Sequence, residues 1–187
     1  IQANTCLITV TSATNKGIIN DIQSISEIAQ KHNKAFHSDV SRSFPLFPNK
    51  LNKINITSIS ISFHNMFGPR GCALLLIKKS FIDGYELKPL IYGNIENHYC
   101  IHNIAASKVA FNLNFEKREH KNKKIISIRD YFILNISKLI NCRFLCDYNH
   151  NTIMPSIIWI TSKNILPNIL FFALYQKHIH KAKDIQK

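Results

Sequence analysis

The chain has 187 residues, of which 45% are hydrophobic and 19% charged. This length and balance exclude an intrinsically disordered chain and suffice for one domain, or a domain and a half, with a real core. The formal net charge is +13, but the lysines are scattered in a sequence rich in Ile and Asn with only 5 Gly. AT-rich codons supply such a mixture, so we interpret the charge as composition and do not expect nucleic acid to be a partner.

The cysteines and the chain ends bear on location. The five cysteines form no CxxC pair, so we expect reduced, structural thiols, no metal site, and a cytoplasmic or organelle-interior protein that is not secreted. No signal peptide is visible, and the chain begins Ile1-Gln2 without an initiator Met, as an excerpt of a longer protein would. The apolar stretch 165–175 is far short of the roughly 20 residues that cross a bilayer, so we expect no membrane association.

The first 80 residues alternate between predicted strands and helices. Strands are predicted over residues 6–12, 35–40, 57–62 and 72–78, because these runs are apolar, β-branched and poor in charge. Asn20 or Asp21 can cap a helix that runs to about residue 31, where cationic side chains suit a C-terminus. This alternation predicts an α/β fold whose four strands share one mainly parallel sheet.

The second half has a different pattern. Helices are predicted over residues 104–115 and 125–140, separated by the charged run 117–124, which we interpret as a solvated helix junction. A strand over 156–161 and a helix from about Asn164 follow. We place a boundary near residues 115–125, which predicts two domains over residues 1–115 and 116–187.

Four stretches, taken in order, resemble the cysteine desulfurase branch of the class V aminotransferase-like enzymes, which use pyridoxal phosphate. Residues 7–17 are similar to the family's strand ending in Asn-Asn-Glu-x-Gly, and residues 36–43 to its His-x-Asp-Ala-x-Gln-Ser. The most specific stretch is SISFHNMFGPRG over 60–71, where the family has Ser-x-His-Lys-x-Tyr-Gly-Pro-Lys-Gly. Residues 147–161 are a weaker match to the opening strand of the small domain. The resemblance implies part of a fold type I large domain, with a mainly parallel sheet, and the start of a small α/β C-terminal domain.

The resemblance also implies an activity and a set of cofactor contacts. The family removes sulfur from L-cysteine for iron-sulfur cluster assembly or tRNA thiolation. Asp39 matches the acid that faces the pyridine nitrogen and keeps it protonated, which makes the ring an electron sink. Asn15 matches the asparagine beside the ring hydroxyl, and Arg42 stands where the family has a glutamine near the ring. Ser62 and His64 match the residues that bind the cofactor phosphate.

The departures from the family pattern concern the chemistry. The lysine that holds the cofactor follows the histidine directly, and here that position is Asn65, whose amide cannot condense with an aldehyde. Lys78 and Lys79 lie across a strand and do not replace it. The glycine-rich motif survives only as residues 92–103, with Cys100 at its arginine position. The catalytic cysteine loop and the upstream ring-stacking histidine are not in this sequence.

Four hypotheses remain open at this point. The chain is a degenerate homologue without pyridoxal phosphate chemistry, part of a working enzyme that supplies one portion of a site, a non-enzymatic module that binds a sulfur acceptor or scaffold protein, or a basic nucleic-acid binder. Loss of the lysine favours the first and third. The resemblance also implies a homodimer.

Overall fold

The computed structural model describes residues 1–47, 51, 54–84, 100–139, 142–146, 148, 152–162 and 164–176. The chain divides into two compact units, Ile1–Asn122 and Lys123–Lys187. The strands are β1 (Leu7–Thr11), β2 (Ala35–Asp39), β3 (Ser58–Ser62), β4 (Ala73–Ile77), β5 (Cys142–Phe144) and β6 (Ile160–Ser162). The helices are α1 (Ile22–Lys31), α2 (Lys79–Ile82), α3 (Ile101–Leu139) and α4 (Pro167–Gln176), with a 3-10 turn at Phe63–Met66.

As the sequence predicts, the first four strands share one sheet; their order in it is β1-β2-β3-β4. β1 pairs with β2 and β2 with β3 in parallel, whereas β3 and β4 are antiparallel, with Ser62 opposite Ala73. The direction of β4 follows from its connection, because residues 63–72 are too few for the crossover that a parallel neighbour needs. The predicted α/β fold with a mainly parallel sheet is confirmed.

The two faces of this sheet differ in polarity. On one face, Phe36 is buried with Ile22 and Ala29 of α1, and the neighbouring strands add Ile8, Val10 and Ile59. On the opposite face, the His37 imidazole lies between two serine hydroxyls, with Nδ1 2.9 Å from Ser58 Oγ and Nε2 3.3 Å from Ser60 Oγ. An apolar face and a hydroxyl-rich face are the period-two pattern of a sheet buried on one side.

The helix α1 begins where its sequence predicts. Asp21 is the N-cap, with Oδ1 accepting a hydrogen bond from the Ser24 backbone N–H at 3.1 Å and Oδ2 accepting from the Ser24 hydroxyl at 2.6 Å. These bonds lower the pKa of Asp21, the side-chain bond from Ser24 being the largest cause. The cap fixes the register in which Ile22 and Ala29 face the sheet.

The charged run does not separate two helices, and that prediction is wrong. α3 continues unbroken through residues 117–124 and ends at Leu139. The run contains neither Gly nor Pro, and Lys, Arg and Glu are good helix formers, so nothing local ends the helix there. The assignment of residues 1–115 and 116–187 to two domains stays a prediction.

The second unit contains a small antiparallel pair, β5 and β6. The predicted strand over 156–161 is shorter and later than expected, at Ile160–Ser162, and the predicted helix begins at Pro167 instead of Asn164. Proline suits the first helical turn because it lacks a backbone N–H. Among the described residues, no helix is both long and apolar enough to cross a membrane.

One tyrosine joins the segment that follows β5 to the residue that precedes β6. The Tyr148 hydroxyl donates to the Trp159 carbonyl at 2.9 Å and accepts from the Trp159 backbone N–H. Its ring also meets Phe144 edge to face, with ring centroids 5.8 Å apart. Burial raises the pKa of Tyr148.

Removing the cap of α1 should destabilise the first unit. Asp21→Ala leaves the Ser24 N–H without its acceptor, and we expect a loss of about 1 kcal/mol in the free energy of unfolding. Asp21→Ser keeps a capping oxygen and should cost much less. Urea unfolding followed by circular dichroism measures both, and equal stability of Asp21→Ala and the unchanged protein would contradict the cap.

Tyr148→Phe removes the hydroxyl and should lower the free energy of unfolding of the second unit by roughly 1–3 kcal/mol. The reason is that the backbone N–H and the backbone carbonyl of Trp159 each lose a hydrogen-bond partner. Since the folded-state pKa is raised, the phenol stabilises the fold below its unfolded pKa near 10, and this contribution is lost as the pH rises through the folded-state pKa. The chain has a single Trp, so its fluorescence reports unfolding directly. Tyr148→Phe should show a smaller loss of stability between neutral and alkaline pH than the unchanged protein.

Candidate functional site

The carboxyl ends of β1, β2 and β3 meet at one edge of the sheet, where open α/β folds place their ligands. β2 ends at Asp39 and β3 at Ser62, and Ser12 follows β1 directly. This edge therefore carries two of the residues that the sequence assigns to the cofactor.

Asp39 is exposed, but its position is fixed by its neighbours. Its carboxylate Oδ1 accepts a hydrogen bond from the Ser41 backbone N–H at 2.8 Å, which closes an Asx turn. Its backbone carbonyl accepts from the Ser12 N–H at 2.8 Å and from the Ser12 hydroxyl at 3.1 Å. A carboxylate held in this way is presented at the sheet edge in one orientation.

Small buried serines join the strand ends behind Asp39. Ser12 and Ser43 are 2% and 8% exposed, and their hydroxyls bond to each other. The Ser41 hydroxyl accepts from the Ser62 backbone N–H at 2.8 Å, so the segment after β2 is fastened to the end of β3. The sequence reasoning missed Ser12 and Ser41. The spacing Asp39-x-Ser41 was the available signal, because an aspartate commonly bonds the backbone N–H two residues later.

The predicted lysine position lies in the 3-10 turn that follows β3. His64 is exposed and Asn65 half-buried, and the turn ends at Phe67, which has a left-handed backbone with φ +62°. The Gly68 N–H donates to the Phe63 carbonyl at 3.0 Å. A Cβ on Gly68 would lie 2.9 Å from that carbonyl oxygen and from Phe63 Cβ, so only glycine fits the close approach. Residue 65 is thus held by a short, tightly closed turn.

The other predicted residues are less closely connected. Arg42 is exposed beside Ser41. Asn15 lies on an exposed turn after β1, between Ala13 and Ile19, which form an isolated bridge. Of the motif over 92–103, residues 92–99 lie outside the described part of the chain, while Cys100 precedes α3 with its Sγ 2.9 Å from His102 Nε2. The cofactor roles of Asn15, Asp39, Arg42, Ser62 and His64 stay predictions.

The alternative lysines lie far from this edge. The Lys78 backbone N–H donates to the Thr57 carbonyl at 2.9 Å, and its amine bonds to Asn55 Oδ1. Because β4 is antiparallel to β3, Lys78 is roughly 17 Å along the strand from the residue opposite Ser62. Lys79 begins α2, one residue further on.

These groups meet only part of what pyridoxal phosphate requires. An oriented carboxylate and a hydroxyl lie at the strand ends, and an imidazole follows in the turn after β3. The predicted lysine position, residue 65, carries an amide, whereas covalent attachment needs an amine. Among the described residues, no three His, Cys, Asp or Glu side chains cluster as a metal site would require. The residues therefore fit non-covalent contacts with the cofactor and do not fit its covalent attachment at position 65.

Comparison with known proteins identifies relatives over the same stretches. The family model for aminotransferase class-V matches residues 1–109. The chain is 28% identical to the cysteine desulfurase IscS of Dictyoglomus turgidum over 152 residues, covering 78% of this chain and 38% of the relative. It is 30% identical to the IscS of Methanosarcina thermophila over 146 residues, covering 74% of this chain and 35% of the relative.

Solved structures share the fold. A NifS-like protein superposes with a TM-score of 0.83 at 21% identity, over 96% of this chain and 50% of the other. A NifS-like protein from Rickettsia africae gives 0.76 at 21% identity, over 91% and 48%. The chain thus spans between about a third and a half of the length of these relatives. It belongs to the class-V aminotransferase family, as a partial member of the NifS/IscS-like, cysteine desulfurase-type branch.

Proposed function

We propose that this chain is a cysteine desulfurase-like protein that has lost the covalent chemistry of the family and is inactive on L-cysteine by itself. The observation that carries the proposal is Asn65, at the lysine position in the turn between His64 and Gly68. An amide nitrogen has no available lone pair for condensation with an aldehyde and cannot carry a substrate proton as an amine does.

Two features support a remnant of the cofactor site rather than an unrelated surface. Asp39 is oriented at the sheet edge by the Ser41 N–H, and the end of β3 is fastened to the same segment through Ser41 and Ser62. When bound, pyridoxal phosphate supplies an electron sink for chemistry at the substrate's α-carbon. In this chain Asp39 would face the pyridine nitrogen, and Ser62 and His64 would contact the phosphate, without a covalent bond.

The unchanged chain should therefore not retain pyridoxal phosphate covalently. After incubation with the cofactor and borohydride reduction, intact-mass and peptide mass spectrometry should show no pyridoxyl group in the peptide containing residue 65. The chain should also release no sulfide or alanine from L-cysteine. Sulfide release by the unmodified chain would show that the lysine position is misassigned.

Restoring the amine is the matched gain-of-function test. After borohydride reduction, Asn65→Lys should carry a pyridoxyl group at position 65 if Asp39, Ser62 and His64 still form a pocket. Asn65→Gln should not, because it lengthens the side chain without supplying an amine. Asn65→Lys with Asp39→Ala should lose most of the label.

A second candidate function is a non-enzymatic module that binds another protein, such as a second copy, a sulfur acceptor or a scaffold protein. The observation that favours it is β4, whose three leucines, Leu74, Leu75 and Leu76, are 37%, 58% and 47% exposed. These side chains alternate between the two sheet faces, and β4 is the edge strand of the sheet among the residues that the structure describes. Apolar residues on both faces of an edge strand are typical of a strand that another polypeptide covers.

This surface should make the isolated chain self-associate. Leu75→Lys places a charge at the most exposed of the three leucines and should reduce association without a large loss of stability. Sedimentation velocity over a concentration series measures the effect, and Gln23→Lys, at an exposed position on α1, serves as the charge-matched control. A chain that stays monomeric over the whole series would argue against a contact through β4.

A further inference from the structure

We propose that Asn114 of α3, assisted by Lys121, is the positioning residue that fixes the turn at Phe63–Met66 and therefore the location of residue 65. The inference rests on the proposed function in assigning the lysine position to this turn. Its structural part depends only on contacts between α3 and the turn.

Asn114 joins two segments that are 48 residues apart in the chain. Its side chain is buried, at 8% exposure, and its Nδ2 donates to the Met66 carbonyl at 2.6 Å and to the Ala110 carbonyl at 3.0 Å. Its Oδ1 accepts from Lys121 Nζ at 3.2 Å. Both N–H groups and the oxygen of the amide are thus used, which defines the orientation of the side chain.

The bond to Met66 acts one residue from the lysine position. Met66 is 1% exposed and packs with Val40 and Ile61, so its side chain fixes one side of the turn while Asn114 fixes its carbonyl. Two anchors of different kinds on Met66 leave little freedom for the preceding residue, Asn65. The direction of residue 65 is therefore set by a helix that is remote in sequence.

Lys121 contacts the same turn at Phe67, the residue at which the turn ends. Its ammonium lies 5.7 Å from the centroid of the Phe67 ring, while it also donates to Asn114. Phe67 has φ +62°, a left-handed conformation that is unfavourable for a residue with a side chain unless its surroundings hold it. The contact between the Lys121 ammonium and the Phe67 ring provides such a restraint at the end of the turn.

The same helix offers a matched control. Asn122 donates from its Nδ2 to the Leu46 carbonyl at 2.8 Å, which anchors a different loop with the same chemistry. If the loss of any side-chain amide from α3 loosened the turn at residue 65, substitutions of Asn114 and of Asn122 would both do so. A positioning effect on residue 65 should appear only with Asn114.

The experiment compares Asn114→Asp with Asn122→Asp. Aspartate keeps the side-chain volume and can still accept from Lys121, but it presents an oxygen to the Met66 carbonyl and cannot donate. Amide hydrogen exchange should become roughly tenfold faster for Phe67 and Gly68 in Asn114→Asp. Exchange occurs from the open state of the turn, and losing about 1.5 kcal/mol of the free energy that keeps the turn closed raises the population of that state by about this factor. Asn122→Asp should leave these amides unchanged and accelerate those of Phe44, Leu46 and Phe47, which hydrogen-bond within the loop that Asn122 anchors.

The second readout uses the restored lysine. In the Asn65→Lys background, Asn114→Asp should lower the yield of borohydride-fixed pyridoxyl group by several-fold, and Asn122→Asp should not. If Asn65→Lys is never labelled, the proposed cofactor site fails, but the exchange measurement still decides the role of Asn114. Unchanged exchange at 67–68 in Asn114→Asp, or equal acceleration in both variants, overturns the positioning role.

A milder variant covers the case in which Asn114→Asp does not fold. Lys121→Met keeps the unbranched stem of the side chain and removes the ammonium that contacts both Asn114 and Phe67. We expect faster exchange at Phe67 and Gly68 with little change in urea stability. No change at these two amides would overturn the proposal.

Discussion

The hydrogen bonds around Asp39 hold the candidate site together. Its carbonyl accepts from Ser12 at the end of β1, and its carboxylate accepts from Ser41, whose hydroxyl accepts from Ser62 at the end of β3. One residue therefore ties three parallel strands at the edge where their backbone pairing stops. Parallel strands leave unpaired polar groups at such an edge, and burying them without partners would be costly. The serines satisfy these groups with little volume, which leaves Asp39 accessible.

The contacts that hold the backbone of the site do not depend on the side chain at position 65. The strand ends are joined by backbone and serine groups, and the turn after β3 depends on Gly68, Met66 and Asn114. None of these contacts uses the side chain of Asn65 as its anchor. A replacement at position 65 can therefore remove covalent chemistry without removing the turn that presents the residue.

The sequence predicts the parts of the structure that depend on local pattern. Strands β1 to β4 and helix α1 follow from apolar periodicity and from the cap at Asp21, which act over a few residues. The same local patterns predict neither β5 nor the start of β6. The sequence does not predict the continuity of α3, because a charged run is compatible both with a solvated junction and with an exposed helix, and only packing decides. It also does not reveal the role of Asn114, because that role depends on a hydrogen bond to the Met66 carbonyl, 48 residues away in the chain. The positions of the candidate site residues came from the family pattern, whereas the serines that orient them required the register of the strands.

The distances across the sheet also limit which other lysine could supply an amine to the proposed cofactor site. Lys78 is held at the opposite end of β3 by Thr57 and Asn55, and moving it to the Asp39 edge would require β4 to shift by its full length of five residues. Such a shift would break the pairing of all five β4 residues with β3. Lys121 contacts the turn through Asn114 and the Phe67 ring, so moving it would release the restraint that holds residue 65. The lowest-cost route to an amine at this site is therefore a substitution at position 65 itself, where the turn already provides the backbone geometry.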